Sequence, residues 1–290
     1  MRIVILGSKG QLGWEAQRAL STLGETIPLE YPVIDFTQPK QLIQQVTSYN
    51  PQVIFNAAAY TAVDNAETEV DIARAINATA VGALAEAALQ RNAALIHFST
   101  DYVFDGAKGS AYLEEDAPNP LSVYGSTKLE GEQAIQQVGG AYLILRTSWV
   151  YSNRRDSFVM KVLQWASNTD TLRIVSDQVS GPTWARSLAE ISGQLLAKGG
   201  SNPAAWLKDY SGLYHLAGSG IASRMEWATE ILRYGDEYQQ KVEVVAAQTA
   251  DFPTPAARPL FTPLNCEKFT NTFDLKLPDW RDALCMAMEK

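Results

Sequence analysis

Cysteine and histidine are nearly absent from this 290-residue chain, which has two of each: Cys266 and Cys285, His97 and His215. Two unpatterned cysteines make neither a disulfide framework nor a zinc site, and both read as buried or idle thiols. The histidines stand in separate strand-like runs, which suggests neither a metal pair nor a Ser/His/Asp triad. Structural roles are expected for both. Basic residues are outnumbered, 24 Lys and Arg against 32 Asp and Glu, for a formal charge of −8. That balance argues against nucleic acid as a partner, although phosphates can still be held by backbone N–H groups and single arginines. No apolar run approaches the roughly 18 residues of a membrane helix, and the opening run Ile3–Leu6 is too short for a signal-peptide core. The expectation is a soluble, cytoplasmic protein with no membrane partner.

What is present is a regular α/β rhythm. With 46% hydrophobic residues, a chain of this length can bury about three quarters of its unfolded surface. Ile3–Leu6, Val53–Asn56, Leu95–Phe98 and Tyr142–Leu145 read as buried strands. Leu12–Leu23, with Gly24 as its stop, and Asp71–Leu89 read as helices. Strands alternating with helices at this spacing predict a Rossmann-type, doubly wound parallel sheet covered on both faces. Beyond Tyr151 the rhythm loosens. Leu172–Val175 and Leu213–Leu216 read as strands, with a helix from about Trp184 to Leu196 and a final helix from about Asp279. A dinucleotide-binding domain is expected over 1–150 plus about 184–218. A smaller, discontinuous substrate lobe is expected over about 151–183 plus 219–290.

The first strand runs into Gly7-Ser8-Lys9-Gly10-Gln11-Leu12-Gly13 and then a helix, the context a dinucleotide fingerprint requires. Gly7 permits the turn, Gly10 lets backbone approach a pyrophosphate, and Gly13 lets helix and strand pack closely. Asp35 lies about twenty residues further on, where an acidic side chain takes a ribose 2′-hydroxyl. Asp35 favours NADH over NADPH by charge, and Lys9 in the same loop works against that preference, so both cofactors stay open. Asn56-Ala57-Ala58-Ala59 closes a strand with residues small enough for a ligand to lie on its carboxyl end.

Ser99-Thr100-Asp101 ends a strand, and Tyr124 and Lys128 follow at i and i+4 on a helix, so both side chains share one face. A free phenol titrates near 10, too high for ready proton transfer at neutral pH. An adjacent ammonium would pull it down. Lys128 is therefore expected to acidify Tyr124 and to bond a nicotinamide ribose, while Thr100 orients a substrate oxygen.

These motifs resemble the extended short-chain dehydrogenase/reductases and, within them, the dTDP-4-dehydrorhamnose reductase family. The shared runs span nearly the whole chain: Gly7–Gly13, Asn56–Asp64, Ser99–Phe104, Val123–Gly125 and Arg146–Tyr151, then Asp177-Gln178, Gly181–Thr183, Gly212–Leu216 and Pro253–Pro259. The resemblance implies reduction of the 4-keto group of dTDP-4-dehydro-L-rhamnose to dTDP-L-rhamnose, in rhamnose biosynthesis, with NADPH or NADH. It implies Thr100, Tyr124 and Lys128 as catalytic residues. Gly10, Gln11, Leu12, Asp35, Phe36, Ala59, Tyr60, Thr61, Tyr124 and Lys128 would line the cofactor, and Asp101 and Trp149 would touch the dTDP-linked 4-keto-6-deoxysugar. Arg258 is a candidate for the diphosphate, because its planar fork suits phosphate oxygens, or for a salt bridge tying the tail to the core.

The chain departs from that family at one point. Some relatives bridge a dimer through Mg²⁺ held by glutamates, one of them soon after the Gly-x-Pro-Thr turn. Here Trp184, Ala185 and Arg186 follow that turn, and a cation there repels a divalent metal. Monomer and homodimer both remain open. The dehydratases of the superfamily carry Thr-Asp-Glu where this chain has Thr100-Asp101-Tyr102. A 4-epimerase, which holds its NAD through each cycle, and a non-catalytic regulatory subunit are the remaining rivals.

Overall fold

The computed structural model describes residues 1–154, 156–235 and 241–289. The first half alternates β1 (Arg2–Leu6), α1 (Gln11–Ala19), β2 (Glu25–Leu29), α2 (Pro39–Ser48) and β3 (Val53–Asn56). Two short helices, α3 (Val63–Ala66) and α4 (Val70–Arg74), lead through a π-turn at Ala75–Thr79 into α5 (Ala80–Arg91). Then come β4 (Ala94–Thr100), α6 (Val123–Val138) and β5 (Tyr142–Thr147). The second half holds β6 (Val150–Tyr151), α7 (Phe158–Ala166), β7 (Thr171–Val175), β8 (Val179–Ser180), β9 (Thr183–Trp184), α8 (Ala185–Lys198), α9 (Pro203–Lys208) and β10 (Gly212–His215). It closes with β11 (Ala222–Ser223), α10 (Arg224–Tyr234), β12 (Glu243–Ala247), α11 (Glu267–Phe273) and α12 (Trp280–Met288).

Six strands form one sheet in the order β10-β5-β4-β3-β1-β2, all paired in parallel. Its central strands are apolar without interruption because both faces are covered. In β1, Ile3 and Ile5 enter one core with Leu12, Ala16 and Leu188, from α1 and α8. Val4 and Leu6 enter the other with Leu42, Leu84 and Ile135, from α2, α5 and α6. All four β1 side chains are completely buried, each contributing about 1.5–3 kcal/mol by removal from water. From β1 the chain builds outward to β2, then crosses to β3 on the other side and continues to β4, β5 and β10. That reversal leaves a crevice at the strand carboxyl ends, where open sheets bind ligands.

Three features depart from the sequence reading. The edge strand β2, Glu-Thr-Ile-Pro-Leu, was not among the strands read from the sequence. Its Pro28 is tolerated because an edge strand has one unpaired side. The expected helix Asp71–Leu89 is interrupted by the π-turn, which places Asn77 against the crevice loop. The run Val70–Arg91 is also long and apolar enough by composition to cross a bilayer, yet Val81, Leu84 and Ala85 are spent on the sheet.

A smaller core gathers Tyr151, Val159, Leu172, Trp227, Trp280 and Leu284 from α7, β7, α10 and α12. The tail is divided: Phe269, Phe273 and Leu277 pack into the main core beside Tyr214, although the sequence reading assigned all of 219–290 to the lobe.

Candidate active site

A cavity of about 960 Å³ runs along the carboxyl ends of β1, β3, β4 and β5. The glycine turn forms one wall. Gly7 adopts φ +74°, and a Cβ on Gly13 would stand 2.2 Å from Gly7 O. Turn and helix therefore touch backbone to backbone, and the N-terminus of α1 is aimed at the crevice, where its free N–H groups attract anions. Gly7, Gly10, Gln11, Leu12, Ala59 and Thr61 all line the cavity. Gln11 Oε1 and Thr147 Oγ1 are buried without a partner, and both residues line it. Orphaned acceptors beside a backbone cradle suit the amide, hydroxyl and phosphate groups of a dinucleotide.

Gly13 packs behind this wall rather than in it. Tyr60 also sits back: its hydroxyl donates to Glu69 Oε2 at 2.7 Å, and Asn77 clamps its backbone, Tyr60 N donating to Oδ1 at 2.8 Å and Nδ2 donating to Tyr60 O at 3.2 Å. Asp35 and Phe36 lie outside the lining. Asp35 Oδ1 accepts from Thr37 N and Oγ1 at 2.8 and 2.7 Å, and Phe36 packs on the core. The acidic residue at the end of β2 is Glu30, which lines the cavity and accepts from Lys9 N at 2.9 Å.

On the facing wall α6 begins at Ser122, whose Oγ accepts from Gly125 N at 3.2 Å and caps the helix. A Cβ on Gly125 would meet Tyr102 O at 2.2 Å, so glycine lets α6 settle against the end of β4. That contact brings Thr100, Tyr124 and Lys128 into one cavity. The expected acidification of Tyr124 by Lys128 is not what the geometry provides. Burial pushes the Tyr124 phenol well above its ordinary range, and hydrogen bonding with Thr100 only partly opposes this. Lys128 Nζ is turned into the sheet, donating to Phe98 O at 2.6 Å and lying 3.3 Å from His97 Nε2. Burial draws that ammonium down to about 8.

Asp101 lines the cavity but has little carboxyl left to offer a sugar. Thr100 Oγ1 donates to Oδ1 at 3.2 Å, and Ser180 Oγ and Thr262 Oγ1 donate to Oδ2 at 3.1 and 2.5 Å. Burial raises this carboxyl to about 6, against the pull of those hydroxyls. Asp101 thus ties the end of β4 to β8 and the tail. Trp149 also lines the cavity, at φ +42°, with the Arg224 guanidinium 3.7 Å from its ring centroid and Trp227 stacked at 5.6 Å.

Arg224 reaches into a second cavity of about 700 Å³ in the lobe, shared with Phe158, Leu172, Gln178, Phe252 and Arg258. Arg258 Nη2 donates to Asp64 Oδ2 at 2.8 Å, a salt bridge between tail and core of the kind left open beside the diphosphate role, while its Nη1 is buried without a partner. Glu30, Asn77 and Arg224 were missed from sequence, and only Glu30 left a signal, as an acid following a short alternating run.

Glu15, Glu190 and Glu289 line one cavity together with Arg18, Arg154 and Arg186, whose guanidinium charges oppose a divalent metal there. Arg186 Nε donates to Glu190 Oε1 at 2.7 Å, and Arg186, Arg18 and Arg154 surround Glu15. Among the described residues no group of three or more His, Cys, Asp or Glu could hold a metal ion.

The family model described as the RmlD substrate binding domain matches residues 1–290. The dTDP-4-dehydrorhamnose reductase of Escherichia coli K12 is 41% identical over 288 residues, covering 97% of this chain and 95% of the relative. That of Burkholderia thailandensis is 39% identical over 289 residues, covering 98% and 97%. The crystal structure of the Bacillus anthracis dTDP-4-dehydrorhamnose reductase in complex with NADP superposes with a TM-score of 0.90 at 31% identity, covering 99% of this chain and 98% of that one. The chain belongs to the RmlD substrate-binding-domain family.

Proposed function

We propose that this chain is an NAD(P)H-dependent reductase that converts the 4-keto group of dTDP-4-dehydro-L-rhamnose into the alcohol of dTDP-L-rhamnose. The observation that carries the reading is the convergence of Thr100, Tyr124 and Lys128 in the cavity that the glycine turn also lines. Relatives of that name, about 40% identical over nearly the full chain, support the substrate.

Bound NAD(P)H supplies the hydride. Burial keeps Tyr124 protonated at neutral pH, which is the state a reduction needs. The alkoxide left by hydride addition is a far stronger base than a phenolate, so the proton moves from the Tyr124 hydroxyl to the sugar oxygen. The Thr100 hydroxyl orients that oxygen. Glu30 receives ribose hydroxyls, the α1 N-terminus the pyrophosphate, and Asn77 holds the Tyr60 loop in place. In the lobe, Arg224 and the free Nη1 of Arg258 face the sugar nucleotide's diphosphate, with Phe158 and Phe252 as apolar walls for its base.

The test supplies dTDP-4-dehydro-L-rhamnose with NADH or NADPH and follows absorbance of the reduced cofactor, with the UDP-linked keto-sugar alongside. Cofactor oxidation with formation of the alcohol is expected. Tightly held NAD with no net oxidation would instead indicate an epimerase.

A further inference from the structure

Arg258 can tie the tail to the core and meet a diphosphate at the same time, because its guanidinium has two ends. Nη2 is engaged, donating to Asp64 Oδ2 at 2.8 Å. Nη1 is buried without a partner, and the residue lines the lobe cavity. Asp64 grips the same segment by its backbone as well, Oδ1 accepting from Ala256 N at 3.2 Å. Both carboxylate oxygens are therefore committed to one stretch of the tail. That stretch has little freedom of its own. Pro255 and Pro259 have fixed φ angles, Arg258 is held extended by the proline that follows it, and the Thr254 hydroxyl donates to Ala256 O at 2.9 Å. The backbone is stiff where Arg258 leaves it, so the long side chain is the part that needs holding.

Arg224 lines the same cavity and lies near enough for the two positive charges to oppose each other. Its guanidinium is fixed by aromatic faces, 3.7, 5.0 and 5.6 Å from the ring centroids of Trp149, Phe158 and Trp227. Arg258 is fixed by Asp64 instead. Asp64 owes its place to the cofactor side of the molecule: it lies in the first turn of α3, directly after Val63, which lines the crevice.

We propose that Asp64 is a positioning residue for the sugar nucleotide: from the cofactor wall it holds Arg258 beside Arg224, so that two guanidinium groups meet the diphosphate already in place. The proposal rests on the reading of Arg258 as a diphosphate ligand. Charge and geometry make opposite demands on this carboxylate. As an anion near a bound diphosphate, Asp64 opposes binding, and its removal would tighten it. As the anchor of a flexible cation, it removes from binding the entropy of immobilising that side chain, about threefold to tenfold in affinity. The anchor prevails, because the Asp64 charge is already matched by Arg258, whereas an unheld Arg258 is driven from Arg224 toward solvent.

The test is a double-mutant cycle on the dissociation constant of dTDP, measured by titration calorimetry with the full chain. Arg258→Leu should weaken dTDP about tenfold to a hundredfold, the loss of a charged hydrogen bond. Asp64→Asn keeps an acceptor for Ala256 N but loses the charge, and should weaken dTDP about threefold to tenfold. In the double variant, Asp64→Asn should add nothing to the loss from Arg258→Leu, since no guanidinium is left to hold. In turnover, Asp64→Asn should raise KM for the keto-sugar nucleotide by the same factor, with kcat and the NADH dissociation constant within about twofold. Asp64→Ala, which loses the Ala256 bond too, should weaken dTDP at least as much. Unchanged or tighter dTDP binding in Asp64→Asn, or an equal loss with and without Arg258, would overturn the proposal. So would a parallel fall in NADH affinity, the mark of a merely structural carboxylate. No effect of Arg258→Leu would overturn it together with the diphosphate role of Arg258. The reductase reading is separable from all of these, since it stands on cofactor oxidation by the keto-sugar and on its loss in Tyr124→Phe.

Discussion

In the sheet, β1 gives four consecutive side chains with no exposed surface, dealt alternately to two cores. In the lobe, β6, β8, β9 and β11 are two residues long, and the core is carried by Tyr151, Trp227 and Trp280 with Phe158 and Trp149 packed on it. The crevice is thus framed by local chain order, each wall being the end of a strand whose place the ladder sets. The lobe is framed by aromatic faces and two arginines brought together from distant segments. Changes at the crevice should therefore act on chemistry and cofactor, and changes in the lobe on the sugar nucleotide.

The largest expected effect is at Tyr124. Tyr124→Phe should lower kcat by about 10²–10⁴-fold while the cofactor dissociation constant stays within a few-fold, measured by fluorescence titration. Wild-type turnover would remove the phenol from the chemistry. Next is Gly13→Val, which drives a side chain into the Gly7 carbonyl. Overpacking of this kind costs about 1–3 kcal/mol, and cofactor affinity should fall with it because turn and helix must separate. On the lobe side, Arg224→Leu should raise KM for the sugar nucleotide about tenfold to a hundredfold, the loss of a charged hydrogen bond, with cofactor binding unchanged. An equal loss for both ligands would erase the division between the two regions.

Asp101 joins the regions and gives a smaller, pH-dependent effect. Its folded-state value, about 6, lies above the ordinary carboxylate range. It therefore favours folding most at low pH, and that contribution is lost as pH rises through about 6. The linked change is on the order of 3 kcal/mol. Asp101→Asn should flatten denaturant stability between about pH 4 and 7, and an unchanged profile would place the titration elsewhere. The smallest expected effect is none: with guanidinium groups around Glu15, chelation of divalent metal should leave turnover unaltered. A loss restored by Mg²⁺ would contradict the reading of Arg186.

The parts of the site that were legible beforehand share one property, that they are local. Gly7–Gly13 announces a turn opening a helix, and Tyr124 with Lys128 announces one helix face. The edge strand β2 shows where locality fails. A strand that contains Pro28 and alternates weakly was passed over, so Glu30 at its end went unread beside Asp35. The direction of the Tyr124 shift was misjudged for a similar reason. Helical spacing says that Lys128 can reach Tyr124, but not that its ammonium is drawn toward Phe98 O and His97 instead.

The chain order of branched apolar runs, small residues at strand ends and a helix carrying Tyr124 and Lys128 on one face determined the doubly wound sheet and which side chains line its crevice, because those patterns obey backbone periodicity. Tertiary packing alone decided that Arg224 meets Trp149, that Asp101 is shared among three hydroxyls, and that His97 faces Lys128. Each of those depends on desolvation and on contacts between segments far apart in the chain, and neither quantity is carried by residue spacing.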